Sequence, residues 1–124
     1  MQGLFTFRNL TSLFLAVLFT QTAQANYELS IAEKNTMIKE EVASAQVMKE
    51  LCPSIIGKNS KFDKNIDLLI SEYLVDYSDK SATLQTIQND PEYKSILNDA
   101  KNDIKDASAE DNKFACEEVA NIQM

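Results

Sequence analysis

The chain has 124 residues, 19 acidic against 12 basic side chains, a formal charge of −7, and neither histidine nor tryptophan. That balance repels nucleic acid and anionic lipid, and the missing histidine removes the usual base of serine or cysteine hydrolysis and the commonest partner of cysteine in a zinc site. Two glycines in the whole chain leave no glycine-rich loop to cradle a phosphate.

Residues 1–25 have the three-part layout of a secretory leader. Arg8 is followed by an apolar run over residues 13–19, too short to span a bilayer, then by polar Thr20 and the small pair Ala23 and Ala25 at −3 and −1 of a cleavage point. This predicts a leader over 1–25, a single mature domain over 26–124, and a periplasmic protein with no stable membrane insertion. Removing the leader leaves 99 residues, with 11 lysines against 19 carboxylates and a charge of −8. A domain of that size has a thin core and gains from a covalent staple.

The first predicted helix opens at Ser30-Ile31-Ala32-Glu33, a capping box, and runs Ile38, Val42, Ala45, Met48 and Cys52 down one face. Pro53 is expected to end it, because the proline ring disfavours helical geometry in the preceding residue, with Gly57 as a second break. Ile55 and Ile56 in that apparent turn either tuck under the fold or form an apolar docking spot. A second helix after Ser60 carries the stripe Phe62, Ile66, Leu69, Ile70, Tyr73 and Tyr77. A short amphipathic piece through Leu84 and Ile87 leads to Asp90-Pro91, an N-cap with proline at the first helical position. The helix it starts aligns Tyr93, Ile96, Leu97, Ala100, Ile104 and Ala107. A final helix after Ser108 places Ala115, Val119 and Ile122 on one side with Phe114 beside them. No alternating strand pattern appears. The predicted fold is all-α, a compact bundle of four to five short helices.

Two cysteines in an exported chain allow one intramolecular bridge, Cys52 to Cys116, tying the first helix to the last. There is no Cys-x-x-Cys for thiol exchange. Met37, Met48 and the tyrosines at 73, 77 and 93 are expected to pack in the core.

Asp99, Asp103, Asp106 and Glu110 recur at spacings of 4, 3 and 4, which predicts all four carboxylates on one helical strip beside the apolar face. It is a candidate dock for a basic partner or a loose holder of a divalent cation. It lacks the glycine and ligand pattern of an EF-hand, and its first reading is a solvated face that keeps the protein soluble. Carboxylate pairs for acid–base work are plentiful, but that chemistry needs a cleft that a small bundle rarely provides. The chain therefore reads as a binding protein without catalytic residues, metal or cofactor.

The segments ELCPSIIG, EYLVDYSDKS, NDPEY and ACEEV resemble small exported helical proteins of Gram-negative bacteria classed as hypothetical or domain-of-unknown-function families. Cys52, Pro53, Tyr77, Ser78, Asp79 and Cys116 carry the resemblance. It implies a periplasmic helical domain with a disulfide and no established activity. In plan the chain is also similar to acid-activated periplasmic chaperones, without their tryptophan beside the first cysteine, and in size and acidity to periplasmic immunity proteins that neutralise delivered effectors. The expectation is an accessory or adaptor protein of the envelope whose partner is an envelope protein or an effector, with acid-stress chaperone and immunity protein as the alternatives.

Overall fold

The computed structural model describes residues 28–124, so the predicted leader lies outside the described residues. Residues 31–124 form one compact unit of five helices, with no strand among the described residues: α1 Ile31–Ile56, α2 Ser60–Val75, α3 Leu84–Ile87, α4 Pro91–Asp106 and α5 Ala109–Asn121. No helix among them is long and apolar enough to cross a membrane.

The 26-residue α1 is the spine, packing against α2, α4 and α5. Its buried residues form two adjoining lines, Ile38, Val42, Ala45 and Cys52 on one and Lys39, Ala43 and Val47 on the other. At about 100° per residue these lines together cover more than half the circumference. A helix touched by three others needs such a broad inward face. The second line was not foreseen, because Lys39 interrupts it.

The expected stop at Pro53 does not occur; α1 continues to Ile56 and ends where Gly57 adopts φ +76°. Proline in a last turn removes a single amide donor, and its own φ is helical. The steric penalty falls on Cys52, which is fully buried and bridged to Cys116. Ser54 Oγ donates to the Leu51 carbonyl at 2.7 Å, adding a local bond in that turn. Gly57 then supplies the left-handed residue that commonly closes a helix.

Capping residues set the remaining starts. Asn59, one position before the serine expected to lead α2, accepts from the Phe62 amide at 3.0 Å. Thr83 and Thr86 form a reciprocal capping box on α3. Asp90 caps α4 with Pro91 behind it, and Ser108 caps α5. Tyr77 falls past the end of α2 in a turn held by Asn35, which donates to Ser78 Oγ at 2.7 Å and accepts from the Ser78 amide at 3.1 Å. The Lys80 ammonium donates to the Val75 carbonyl at 2.7 Å, placing a cation on the C-terminus of α2.

Val42, Cys52, Phe62, Ile66, Tyr93 and Cys116 are the largest fully buried side chains. The disulfide joins α1 to α5 with 5.5 Å between the Cα atoms. Asn65 of α2, itself buried, donates to the carbonyls of Val119 at 2.8 Å, Ala120 at 3.4 Å and Ile122 at 3.1 Å. The Val119 carbonyl also accepts from the Ile122 amide at 3.3 Å, so the Asn65 amide adds to a last turn that the backbone alone caps only in part. The last helix is thus fixed twice, by a covalent bond near its middle and by an amide at its end.

The expectations for Met37 and Ala107 are corrected. Met37, expected in the core, is 49 % exposed, and Phe114, expected beside the inward line of α5, is 61 % exposed. Ala107 is the exposed C-cap of α4 and is not part of its apolar face. Met48, Tyr73 and Tyr77 are half-buried against the core and Tyr93 is fully buried.

Candidate functional site

Faces of three helices converge on one open groove. α1 contributes Met37, Glu40, Glu41, Ser44, Ala45 and Met48; α2 contributes Ile66, Leu69 and Tyr73; α5 contributes Ala115, Glu118 and Val119, with its C-cap Ile122. Each set follows helical spacing, so each is one face of its helix. The groove holds about 540 Å³. Ser44, Ala45 and Ala115 are small residues on its walls, where larger side chains would take up part of the space. Ile66 and Val119, both buried, lie below, while Met37 and Ile122 are exposed at the mouth. A second hollow shares Glu118 and Ile122 and adds the exposed Phe114.

The polar side chains of the groove are mostly carboxylates. Glu40, Glu41 and Glu118 are exposed and make no ion pair among the described residues, and no lysine lines the groove. The half-buried Tyr73 phenol is pushed up by burial and then by the negative charge of Glu41 and Glu72. The site is an apolar trough with a negative rim.

The four carboxylates of the expected acidic strip do not share a helix. α4 ends at Asp106, so Asp99, Asp103 and Asp106 stay on α4 while Glu110 lies in the first turn of α5, beyond the Ala107–Ser108 break. All four are exposed. Asp103 borders a smaller hollow of about 220 Å³ beside the disulfide. Among the described residues no group of three or more acidic, cysteine or histidine side chains is placed to hold a metal ion. Ile55 and Ile56 are half-buried against the core, which is the tucked alternative.

Sequence reasoning missed a charge cluster built around a buried lysine. Lys39 is 6 % exposed, and its Nζ lies 2.6 Å from Asp90 Oδ2 and 2.9 Å from Glu92 Oε2. Thr36 Oγ1 donates to Glu92 Oε1 at 2.7 Å. Burial by itself lowers a lysine pKa, but here the hydrogen bonds to Asp90 and Glu92 outweigh it and hold the ammonium above its ordinary range. The bond from Lys39 in turn holds both carboxylates below theirs. Asp90 also caps α4, accepting from the Glu92 amide at 2.9 Å. The cluster docks the start of α4 on α1. One turn on, Tyr93 is buried on α1 with its hydroxyl donating to Gln46 Oε1 at 2.5 Å, and burial pushes its phenol up to about 12. The spacing of Lys39, Ala43 and Gln46 could have revealed this second inward line.

A family model for a domain of unknown function, DUF7944, matches residues 38–119. The match begins on α1 and ends within α5, and so takes in Lys39, both cysteines, Asn65, Tyr93 and most of the groove. No curated protein and no solved structure matches the chain. A match over about two thirds of the sequence places the protein in a family: the chain belongs to DUF7944, a domain of unknown function.

Proposed function

We propose that this is a periplasmic accessory or adaptor protein of the cell envelope that works by binding another protein. The observation that carries this reading is the groove of about 540 Å³ between α1, α2 and α5, a preformed apolar surface left open to solvent. The Cys52–Cys116 bridge supports an oxidising compartment, as does the leader-like pattern of residues 1–25. Among the described residues, the strongly perturbed groups Lys39 and Tyr93 are both tied to partners that hold helices together. That favours binding over catalysis, since perturbed groups at catalytic centres face a cleft.

Expression of the full chain in its own host, followed by fractionation and gentle affinity purification, tests the reading. The expected result is a mature chain starting at Asn26, in the periplasmic fraction, together with a near-stoichiometric envelope protein. A chain retaining Met1 would overturn the compartment, and purification with no stoichiometric partner would overturn the binding role.

A further inference from the structure

We infer that the groove between α1, α2 and α5 receives an amphipathic helix of another protein, one whose apolar stripe is flanked by lysine or arginine. The inference rests on the binding role proposed above and adds where the partner sits and what it looks like.

The walls decide between a helix and an extended segment. All three are faces of α-helices, whose backbone groups are already paired within each helix, and no sheet edge exists among the described residues. An extended peptide laid in such a trough would lose water from its amides and carbonyls and gain no backbone partner. A helix satisfies its own backbone and presents only side chains. From Met37 to Met48 the α1 wall runs about 16 Å, the length of about three helical turns. Met37, Met48 and Leu69 offer apolar contact, and the two methionines are flexible enough to follow the shape of a partner.

Charge selects the flanks and disfavours a second copy. Glu40 and Glu41 stand on the α1 wall and Glu118 on the α5 wall, so an occupant meets negative charge from both sides. Unpaired carboxylates beside an apolar trough attract lysine and arginine and reject acidic segments. Another copy of the mature chain, at −8, brings net repulsion.

The test titrates the purified mature chain with two dye-labelled synthetic helices of identical apolar stripe, one flanked by lysine and one by glutamate. Ser44→Phe fills the trough from an exposed position, so it should fold normally, which circular dichroism and a thermal melt will check. Glu40→Lys with Glu41→Lys and Glu118→Lys reverses the rim. Asp99→Lys with Asp106→Lys adds the same kind of charge on exposed α4, which forms no wall of the groove. The lysine-flanked helix should bind at least about tenfold tighter than its glutamate counterpart, and binding should fall at least about tenfold in Ser44→Phe and in the rim reversal but change little in the α4 control. Equal binding of the two helices, equal binding by Ser44→Phe, or a dimer in sedimentation that Ser44→Phe dissolves would overturn the inference. If the peptides fail while the full chain still copurifies with an envelope protein, the docking surface is wrong and the binding role stands. If copurification also fails, both fall.

Discussion

Removing the disulfide by Cys52→Ala with Cys116→Ala should produce the largest stability loss of any conservative change in this protein. The bridge spans 64 positions, and the chain-entropy relation assigns a closed loop of that length about 4 kcal/mol. For a domain of this size, with an unfolding entropy of about 2 cal/mol/K per residue, that corresponds to a fall in melting temperature of about 20 °C. Alanine is chosen because both sulfurs are buried, and serine would add two hydroxyls without assured partners. Asn65 and the apolar contacts of Val119 still hold α5, so the variant should keep its helical circular dichroism at low temperature. Its urea m-value should rise, because an unbridged denatured chain exposes more surface. Paired urea and thermal melts of oxidised wild type and variant read both quantities. A melting temperature within a few degrees of wild type, with an unchanged m-value, would refute the claim that the bridge stabilises by restricting the unfolded chain.

Asn65→Ala withdraws a buried amide from the carbonyls at the end of α5 and should cost about 1–3 kcal/mol, with faster hydrogen exchange in the last turn of that helix; uniform exchange in both proteins would contradict the capping role. Tyr93→Phe leaves Gln46 Oε1 without its hydroxyl donor and should cost about 1 kcal/mol. In an absorbance titration the wild type should show one phenol ionising only near pH 12, and that step should be missing in the variant; no late step in the wild type would contradict the buried placement. Lys39→Met keeps the packing of the aliphatic stem but removes the partner of Asp90 and Glu92. Because both carboxylates are depressed in the folded state, their contribution is full above the unfolded pKa near 4 and is lost as pH falls through the lower folded values. The variant should therefore be less stable than wild type at neutral pH, with the gap closing in strong acid; parallel curves of urea midpoint against pH would exclude the ion-pair account.

How much of this was legible in the sequence depends on the kind of signal each element sends. Asp90-Pro91 and Ser108 announce helix starts through local chemistry that no tertiary contact contradicts, and the structure begins α4 and α5 there. Pro53 is also a local signal, yet it misled, because the bridge and burial of Cys52 fix the residue on which the proline penalty falls. Lys39 was hidden for a related reason. A lysine marks a solvent face until two carboxylates distant in sequence meet it, and the Thr36–Glu92 and Lys39–Glu92 contacts bridge 56 and 53 positions. The acidic strip failed at Ala107, where a helix break that Ser108 foretold cuts a spacing that had been counted straight through it. The groove could not be read at all. Ser44, Ala45 and Ala115 are unremarkable in their own helices, and only the approach of α1 to α5 brings them onto the walls of one groove.

The most direct test of a binding role centred on that groove compares wild type with Ser44→Phe in quantitative affinity purification from the host envelope. The account predicts that wild type recovers one envelope protein in near-stoichiometric amount and that Ser44→Phe, with an unchanged melting temperature, loses most of it. Equal recovery by the two proteins would contradict it.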